Sequence, residues 1–253
     1  KTTKKRKQTK RQPTMTKINF SHCATYFLTH KLSHVKNSIE IPKELKQFNS
    51  FFTQFAYRHD MARVFDDFLT VIVCCMAHET EENRYFETIA KYTKDELNLL
   101  AKMFAELIMI YEAAQRDERW IDPLGTYYEY LSGNYKKSAL GQFFTPACIC
   151  DMMAQMIIGD DWGKDISEPC SGSGRMILAA NHKTKGNYYV AHDIDPICCK
   201  MTAINLCFHE IRAEVHCKDA LGNKPSYFSL AVNYEFWKHN TKCILYYKNE
   251  KTA

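Results

Sequence analysis

The chain has 253 residues with 45% apolar composition, which excludes disorder throughout and allows one large domain or two modest ones. Its formal charge of +5 is uneven: residues 1–14 hold seven Lys and Arg and no acid, leaving 27 basic against 29 acidic residues in 15–253. The body therefore has no basic field of its own for nucleic acid, and no apolar run reaches the roughly 18 residues that a membrane helix needs.

Residues 1–14, from Lys1 through Arg11 to Pro13, are expected to form a basic flexible arm, able to touch a phosphate backbone without reading its sequence. The alternative is a solvated tail, or residues lying upstream of a start at Met15. Residues 15–121 are expected to form an α-helical subdomain: from about Phe20 to Arg119 apolar residues recur every three or four positions, as in Val64, Phe65, Phe68, Leu69, Ile72 and Val73. Thr93 followed by Glu96 is a capping box. It opens a long helix through Leu97, Leu100, Met103, Phe104, Leu107 and Ile108, which ends in the charged stretch Gln115 to Arg119. Roughly four to six helices are expected in this region.

Residues 122–253 make the second expected unit. Asp122-Pro123 predicts a helix start, with Asp as cap and Pro in the first turn, for a helix through Tyr127, Tyr128, Tyr130 and Leu131 that stops at Gly133. After Gly141 the pattern alternates. It predicts a helix from Pro146 to Ile158, a strand near Ile166, a turn from Cys170 to Gly174 and a helix to Ala180. A strand from Tyr188 to Ala191, a helix from Pro196 to Phe208 and a strand from Ala213 to Cys217 follow, with further short strands at Tyr227 to Val232 and Cys243 to Tyr247. Helices alternating with short apolar strands predict an α/β fold with a parallel, Rossmann-like sheet.

Eleven cysteines, an odd number, include Cys74, Cys75, Cys198, Cys199 and Cys207 in apolar surroundings. There is no C-x-x-C pair, Cys148 and Cys150 are separated by one residue, and no secretory signal is visible. Buried free thiols in a reducing cytoplasm are expected, with no zinc site.

The segment Glu168-Pro169-Cys170-Ser171-Gly172-Ser173-Gly174 is a small-residue turn between a strand and a helix. Such a turn lets a ligand lie against bare backbone at a positive helix N-terminus. Asp193 stands 21 residues after Gly172 at the end of the next strand, the place of the ribose-binding acid in nucleotide-type α/β folds. The dinucleotide pattern is not completed, since Ile177 holds the third glycine position and Glu168 precedes the turn. That carboxylate repels a pyrophosphate and attracts a cationic sulfonium with an ammonium group. The implied ligand is a nucleoside with a positively charged, amino-acid-like tail, which describes S-adenosyl-L-methionine. The competing reading is a loop that only turns the chain.

Several segments together resemble one family. Asp122-Pro123-Leu124-Gly125 with Tyr128-Glu129-Tyr130-Leu131, and Gly141-Gln142-Phe143-Phe144-Thr145-Pro146, precede the glycine turn; Asp193-Ile194-Asp195-Pro196, Asn205-Leu206 with His209, and Lys218-Asp219-Ala220-Leu221 follow it. In this order, over roughly residues 120 to 222, they are similar to the methylation subunits of type I restriction-modification systems and related adenine-N6 DNA methyltransferases. The resemblance implies a methyltransferase domain preceded by helices. It also implies that Phe143, Phe144 and Thr145 lie along the methionine part, while Gly172 and Gly174 let the cofactor approach the backbone. Asp193 would take the ribose hydroxyls, Ile194 would pack on the adenine face and Asp219 would accept from its exocyclic amine. Glu168, Cys170 and Leu221 complete the implied cofactor set. Without the family context Phe143 and Phe144 read as core aromatics.

Members of this family follow the fourth strand with an Asn-Pro-Pro-aromatic loop. Here the matching place holds Asn233-Tyr234-Glu235-Phe236, with neither proline. The resemblance implies that Asn233 holds the target amine and Phe236 stacks on an extruded base, but without two fixed φ angles the loop is softer. An ordinary edge loop fits these four residues equally well. The sheet is expected to be incomplete at its C-terminal end. The implied function is that of an S-adenosylmethionine-binding DNA adenine-N6 methyltransferase-like protein of a restriction-modification system, which needs a partner or further sequence for activity. DNA, bound weakly by this chain alone, and a specificity or second methyltransferase subunit are the implied partners. The alternatives are a catalytically inactive, cofactor-binding relative that serves assembly or regulation, a truncated product whose last third folds poorly, and, more weakly, a glutamine or RNA substrate.

Overall fold

The computed structural model describes residues 40–78, 80–134, 143–160, 162–222, 224–235 and 241–247, all within one compact unit spanning 38–253. The basic arm 1–14, the segment before residue 40, Gly141, Gln142 and Phe236 lie outside the described residues.

The described residues of the helical region supply α1 (Lys46–Phe52), α2 (Met61–Cys75), α3 (Glu82–Ile89) and α4 (Lys94–Arg116), with short 3-10 turns at Lys43–Leu45 and Thr53–Tyr57. The apolar stripe of α2 is buried as its periodicity predicts, with Val64, Phe65, Phe68, Leu69, Ile72 and Val73 all inside. α4 begins at the expected capping box. The Thr93 hydroxyl accepts from the Glu96 N–H, and the Glu96 carboxylate accepts from the Thr93 N–H at 2.7 Å. α5 (Pro123–Asn134) begins as expected too, with Asp122 Oδ1 accepting from the Gly125 N–H at 2.7 Å.

The rest of the chain alternates: α6 (Ala147–Ile157), β1 (Asp165–Glu168), α7 (Arg175–Lys183), β2 (Tyr188–Asp193), α8 (Pro196–Phe208), β3 (Ala213–Cys217), β4 (Phe228–Val232) and β5 (Ile244–Tyr247). The five strands lie in one sheet in the order β1-β2-β3-β4-β5. β1, β2 and β3 are parallel, with Glu168 opposite Ala191 and Asp193 opposite Cys217.

The α/β fold with its parallel strands is as expected, and the sheet departs from the parallel pattern at β4. It runs antiparallel to β3, with Cys217 opposite Phe228 and Ala213 opposite Val232, and β5 is antiparallel to β4. The physical reason is the connection. The described residues of 218–227 hold no helix, and the segment is shorter than the dozen or more residues of a crossover, so the chain returns beside the strand it has just left.

α8 sits at the centre of the core. Every one of its residues from Cys198 to Phe208 is buried, between the sheet residues Ala191, Val215, Leu230 and Val232 and the helices α2, α4 and α5. Its buried polar groups are paired: Lys200 Nζ reaches Asp66 of α2 at 2.6 Å and the Thr70 hydroxyl at 2.8 Å. Ten of the chain's 11 cysteines fall in the described part, and all ten are free. Burial pushes the thiols of Cys74 and Cys150 up to about 11, so they are inert at neutral pH. No helix among the described residues is long and apolar enough to cross a membrane, and no group of His, Cys, Asp and Glu there has the spacing to hold a metal ion.

Candidate functional site

The glycine turn lies at the C-terminal ends of the parallel strands. Gly172 (φ 55°) and Gly174 (φ 91°) occupy the left-handed region, and Gly174 caps α7. A Cβ on Gly172 would meet the Phe144 ring at 2.9 Å, so the bare backbone is what lets that ring lie against the turn. The turn is fixed to β2 by two bonds. The Ser171 N–H donates to the His192 carbonyl at 2.8 Å, and the Gly172 N–H donates to Asp193 Oδ2 at 2.8 Å. Asp193 Oδ1 accepts from the Asp195 N–H at 2.9 Å, so each carboxylate oxygen keeps a lone pair for a ligand.

Gly172 and Asp193 line a cavity of ≈ 180 Å³ with Phe143, Phe144, Thr145, Cys170, Ser171, Ser173, Arg175, Met176 and Cys198. That is below the roughly 300 Å³ at which pockets for drug-sized ligands begin, so it can enclose only a small group. Glu168, at the end of β1, has its carboxyl pushed above the usual range by burial, with the Asp193 charge adding and the Cys170 N–H opposing. Asp193 is the carboxylate in the cavity lining, and Glu168 is near enough to feel its charge.

Of the sequence-predicted residues, Phe143, Phe144, Thr145, Cys170, Gly172 and Asp193 meet at this cavity. Gly174 supports it from the helix cap, and Glu168 ends the strand that leads into it. Ile194 and Leu221 are not in its lining; they are 61% and 98% exposed. Asp219 follows Lys218, whose N–H donates to the Asp193 carbonyl at 2.8 Å, so it lies beside the Asp193 end of the sheet. Its Oδ1 accepts from the Leu221 N–H at 3.0 Å. Phe144 is half-buried against Tyr128, whereas Phe143 is 92% exposed, so the expectation of two core aromatics fails for Phe143.

The structure places Asn233, which the resemblance implies would hold a target amine, at the other end of the sheet from the glycine turn. Because β4 is antiparallel, Asn233 follows Val232 at the end of the sheet where β2 and β3 begin, roughly 15 Å of strand away from the glycine turn. It is fully buried with φ 52°. Its Nδ2 donates to the carbonyls of Leu206, Cys207 and Ile211 at 3.3, 3.1 and 3.1 Å, and its Oδ1 accepts from the Cys243 N–H at 3.2 Å. The carboxamide closes the end of α8, with its amide hydrogens and its oxygen all engaged on buried backbone groups.

Sequence reasoning missed the group beneath the turn. Asp122, read from the sequence as a helix cap and as part of the family's lead-in, is buried and accepts from the Ser173 hydroxyl and Arg175 Nε at 2.6 Å each and from Asn205 Nδ2 at 2.7 Å. Asn205 also donates to the Ser173 carbonyl at 2.8 Å and accepts from the Tyr111 hydroxyl of α4, whose pKa burial raises, with the Asp122 charge adding. Gly125 is needed here, since a Cβ would run into the Asp122 carboxylate and the Ser173 side chain. Burial works against the charge of Arg175, but Asp122 and Glu129 outweigh it and hold the guanidinium pKa above its usual value. The signal was present as an Asp-Pro-x-Gly segment ahead of a turn with an adjacent arginine.

Residues 119–234 match the family model described as N-6 DNA Methylase. The chain is 28% identical over 127 residues to the type I restriction enzyme MpnII methylase subunit of Mycoplasma pneumoniae (strain ATCC 29342 / M129 / Subtype 1), an alignment covering 46% of this chain and 23% of the relative. It is 33% identical over 84 residues to the type II methyltransferase M.MamI of Microbacterium ammoniaphilum, covering 29% and 23%. The chain thus spans about a quarter of the length of these curated relatives. Among solved structures, the methyltransferase subunit of a type I restriction-modification system from Streptococcus thermophilus aligns over 83% of this chain and 46% of its own, at 19% identity and a TM-score of 0.40, too low to establish a shared backbone.

Proposed function

We propose that the chain, whose residues 119–234 match the N-6 DNA Methylase family model, is an adenine-N6 methyltransferase relative that binds S-adenosyl-L-methionine as the cofactor-holding part of a restriction-modification methyltransferase. The observation that carries this reading is the bond from the Gly172 N–H to Asp193 Oδ2, which joins bare backbone and a carboxylate with spare lone pairs at the mouth of one cavity. In this reading Thr145, Gly172 and Phe144 receive the amino-acid tail, while Glu168 and Asp193 face the positive charge. The ribose lies on Asp193, and the adenine crosses the exposed rim made by Ile194, Asp219 and Leu221. Bound there, S-adenosylmethionine supplies an electrophilic methyl group. Glycine backbone, paired acids and a narrow cavity fit that ligand better than a polyphosphate, which two carboxylates would repel.

The position of Asn233 favours a second feature of the reading: the described residues hold the cofactor, and the group that holds a target amine comes from a partner subunit or further sequence. DNA and a specificity or second methyltransferase subunit are the partners in this proposal, with the Lys1 to Arg11 arm giving only salt-sensitive, sequence-independent contact. Calorimetric titration with S-adenosylmethionine and S-adenosylhomocysteine tests cofactor binding. The absence of heat and of any thermal shift at millimolar ligand refutes it. Incubation with labelled cofactor and mixed-sequence DNA tests the rest, and N6-methyladenine formed by this chain alone and lost in Asn233→Ala would restore Asn233 to the chemistry.

A further inference from the structure

The segment 143–146 has no helix or strand to hold it, yet it forms one wall of the cavity. Its place is set by side chains from two other elements. Glu129 of α5 accepts from the Phe144 N–H through Oε1 at 3.1 Å. Arg175, the first residue of α7, donates to Glu129 Oε2 at 2.8 Å and to the Thr145 carbonyl at 3.4 Å, and its guanidinium lies 5.4 Å from the centre of the Phe144 ring. The same arginine is anchored beneath the glycine turn through Asp122.

A guanidinium has five N–H donors. Those of Arg175 reach Asp122, Glu129 at both oxygens, Thr126 Oγ1 and the Thr145 carbonyl, which uses all five. Although it lines the cavity, Arg175 therefore has no donor to offer a ligand carboxylate. Its rigid fork joins the turn, α5 and the 143–145 segment at fixed spacing, which a lysine ammonium could not do.

We propose that Glu129 and Arg175 are positioning residues that hold Phe144 and Thr145 over Gly172, so that the cavity wall is preset before a ligand arrives. The assignment rests on the proposed cofactor site, but the preset wall is measurable without any ligand. A wall already in place lowers the ordering cost of binding.

The test uses the whole chain in four forms: unaltered, Glu129→Ala, Phe144→Ala and the double variant. Alanine favours the helix at position 129, and the Glu129 side chain is part-exposed, so α5 persists. Hydrogen exchange at the Phe144 amide should quicken at least about tenfold in Glu129→Ala, while exchange in β2 is unchanged. Affinity for S-adenosylhomocysteine should fall about tenfold in Glu129→Ala but by less than about twofold when the same change is made in Phe144→Ala, because Glu129 acts through that residue. A generally weakened fold would instead lower affinity equally in both backgrounds, and that result overturns the proposal. If the unaltered chain binds no ligand, the cofactor reading fails and exchange alone decides: an unchanged Phe144 amide in Glu129→Ala refutes the preset wall.

Discussion

The two ends of the sheet carry similar polar residues and do opposite things with them. Where β1, β2 and β3 finish, Asp193 accepts one backbone N–H on each oxygen and keeps further lone pairs, and Glu168 is held at a raised pKa beside it. Where β2 and β3 begin, Asn233 spends both amide hydrogens on carbonyls at the end of α8 and just beyond it, and its oxygen on the Cys243 N–H that precedes β5. Both places show left-handed backbone, at Gly172 and at Asn233. Unusual φ therefore does not distinguish a ligand site from a structural cap; unspent hydrogen-bonding capacity does.

The largest effect expected from this contrast is on stability. Asn233→Ala leaves buried carbonyls of α8 without donors and puts a Cβ residue without side-chain compensation at positive φ, so unfolding free energy should fall by about 3 kcal/mol. Urea denaturation measures this, and cofactor affinity of the folded fraction should be unchanged. A variant of full stability with lost affinity would reverse the assignment of the two ends.

At the open end, Asp193→Ala should weaken cofactor binding by about 1.5–3 kcal/mol, the scale of charge-assisted bonds. Titration calorimetry checks it, and a loss confined to stability would make Asp193 a mere turn clamp. Gly172→Ala should cost about 1–2 kcal/mol of stability from its positive φ and its contact with Phe144, and should also reduce affinity by displacing that ring. Equal affinity in this variant would remove Phe144 from the wall.

The smallest effect is electrostatic. Glu168 has a raised folded pKa, so its contribution to stability is fully present below its unfolded value and is lost as pH rises through the folded one. Glu168→Gln should therefore stabilise the ligand-free protein at neutral pH by a few tenths of a kcal/mol, to about 1 kcal/mol. The same change should weaken the cationic S-adenosylmethionine more than S-adenosylhomocysteine. For the unaltered chain, S-adenosylmethionine affinity should drop as pH falls through the Glu168 pKa. A preference between the two ligands that is the same in Glu168→Gln would remove the acid pair from recognition.

The element order of residues 93–217 was legible because strong local signals agree there: the Thr93 capping box, the Asp122-Pro123 start and the apolar strands at the expected places. The turn and Asp193 were legible because their spacing reflects one βαβ unit. The direction of β4 was not, because an apolar run such as Phe228 to Val232 reads alike in either direction. The motif expectation placed Asn233 beside the cofactor, while the short connection 218–227 pointed the other way. The Asp122, Glu129 and Arg175 network was hidden for another reason: its members are 7 to 53 residues apart and meet only when α5 packs against the turn.

The hydrogen bond from Tyr111 to Asn205 has a consequence beyond the site. It continues through Asn205 to Asp122 and the Ser173 carbonyl, so the C-terminal part of α4 and the floor of the glycine turn share one chain of buried donors and acceptors. Linkage through such a chain is reciprocal: if opening of α4 weakens ligand binding at the turn, a ligand bound there disfavours the opening of α4 by the same free energy. The helical layer is thereby a reporter of occupancy, readable as slower proteolysis or hydrogen exchange in α4 when the distant cavity is filled.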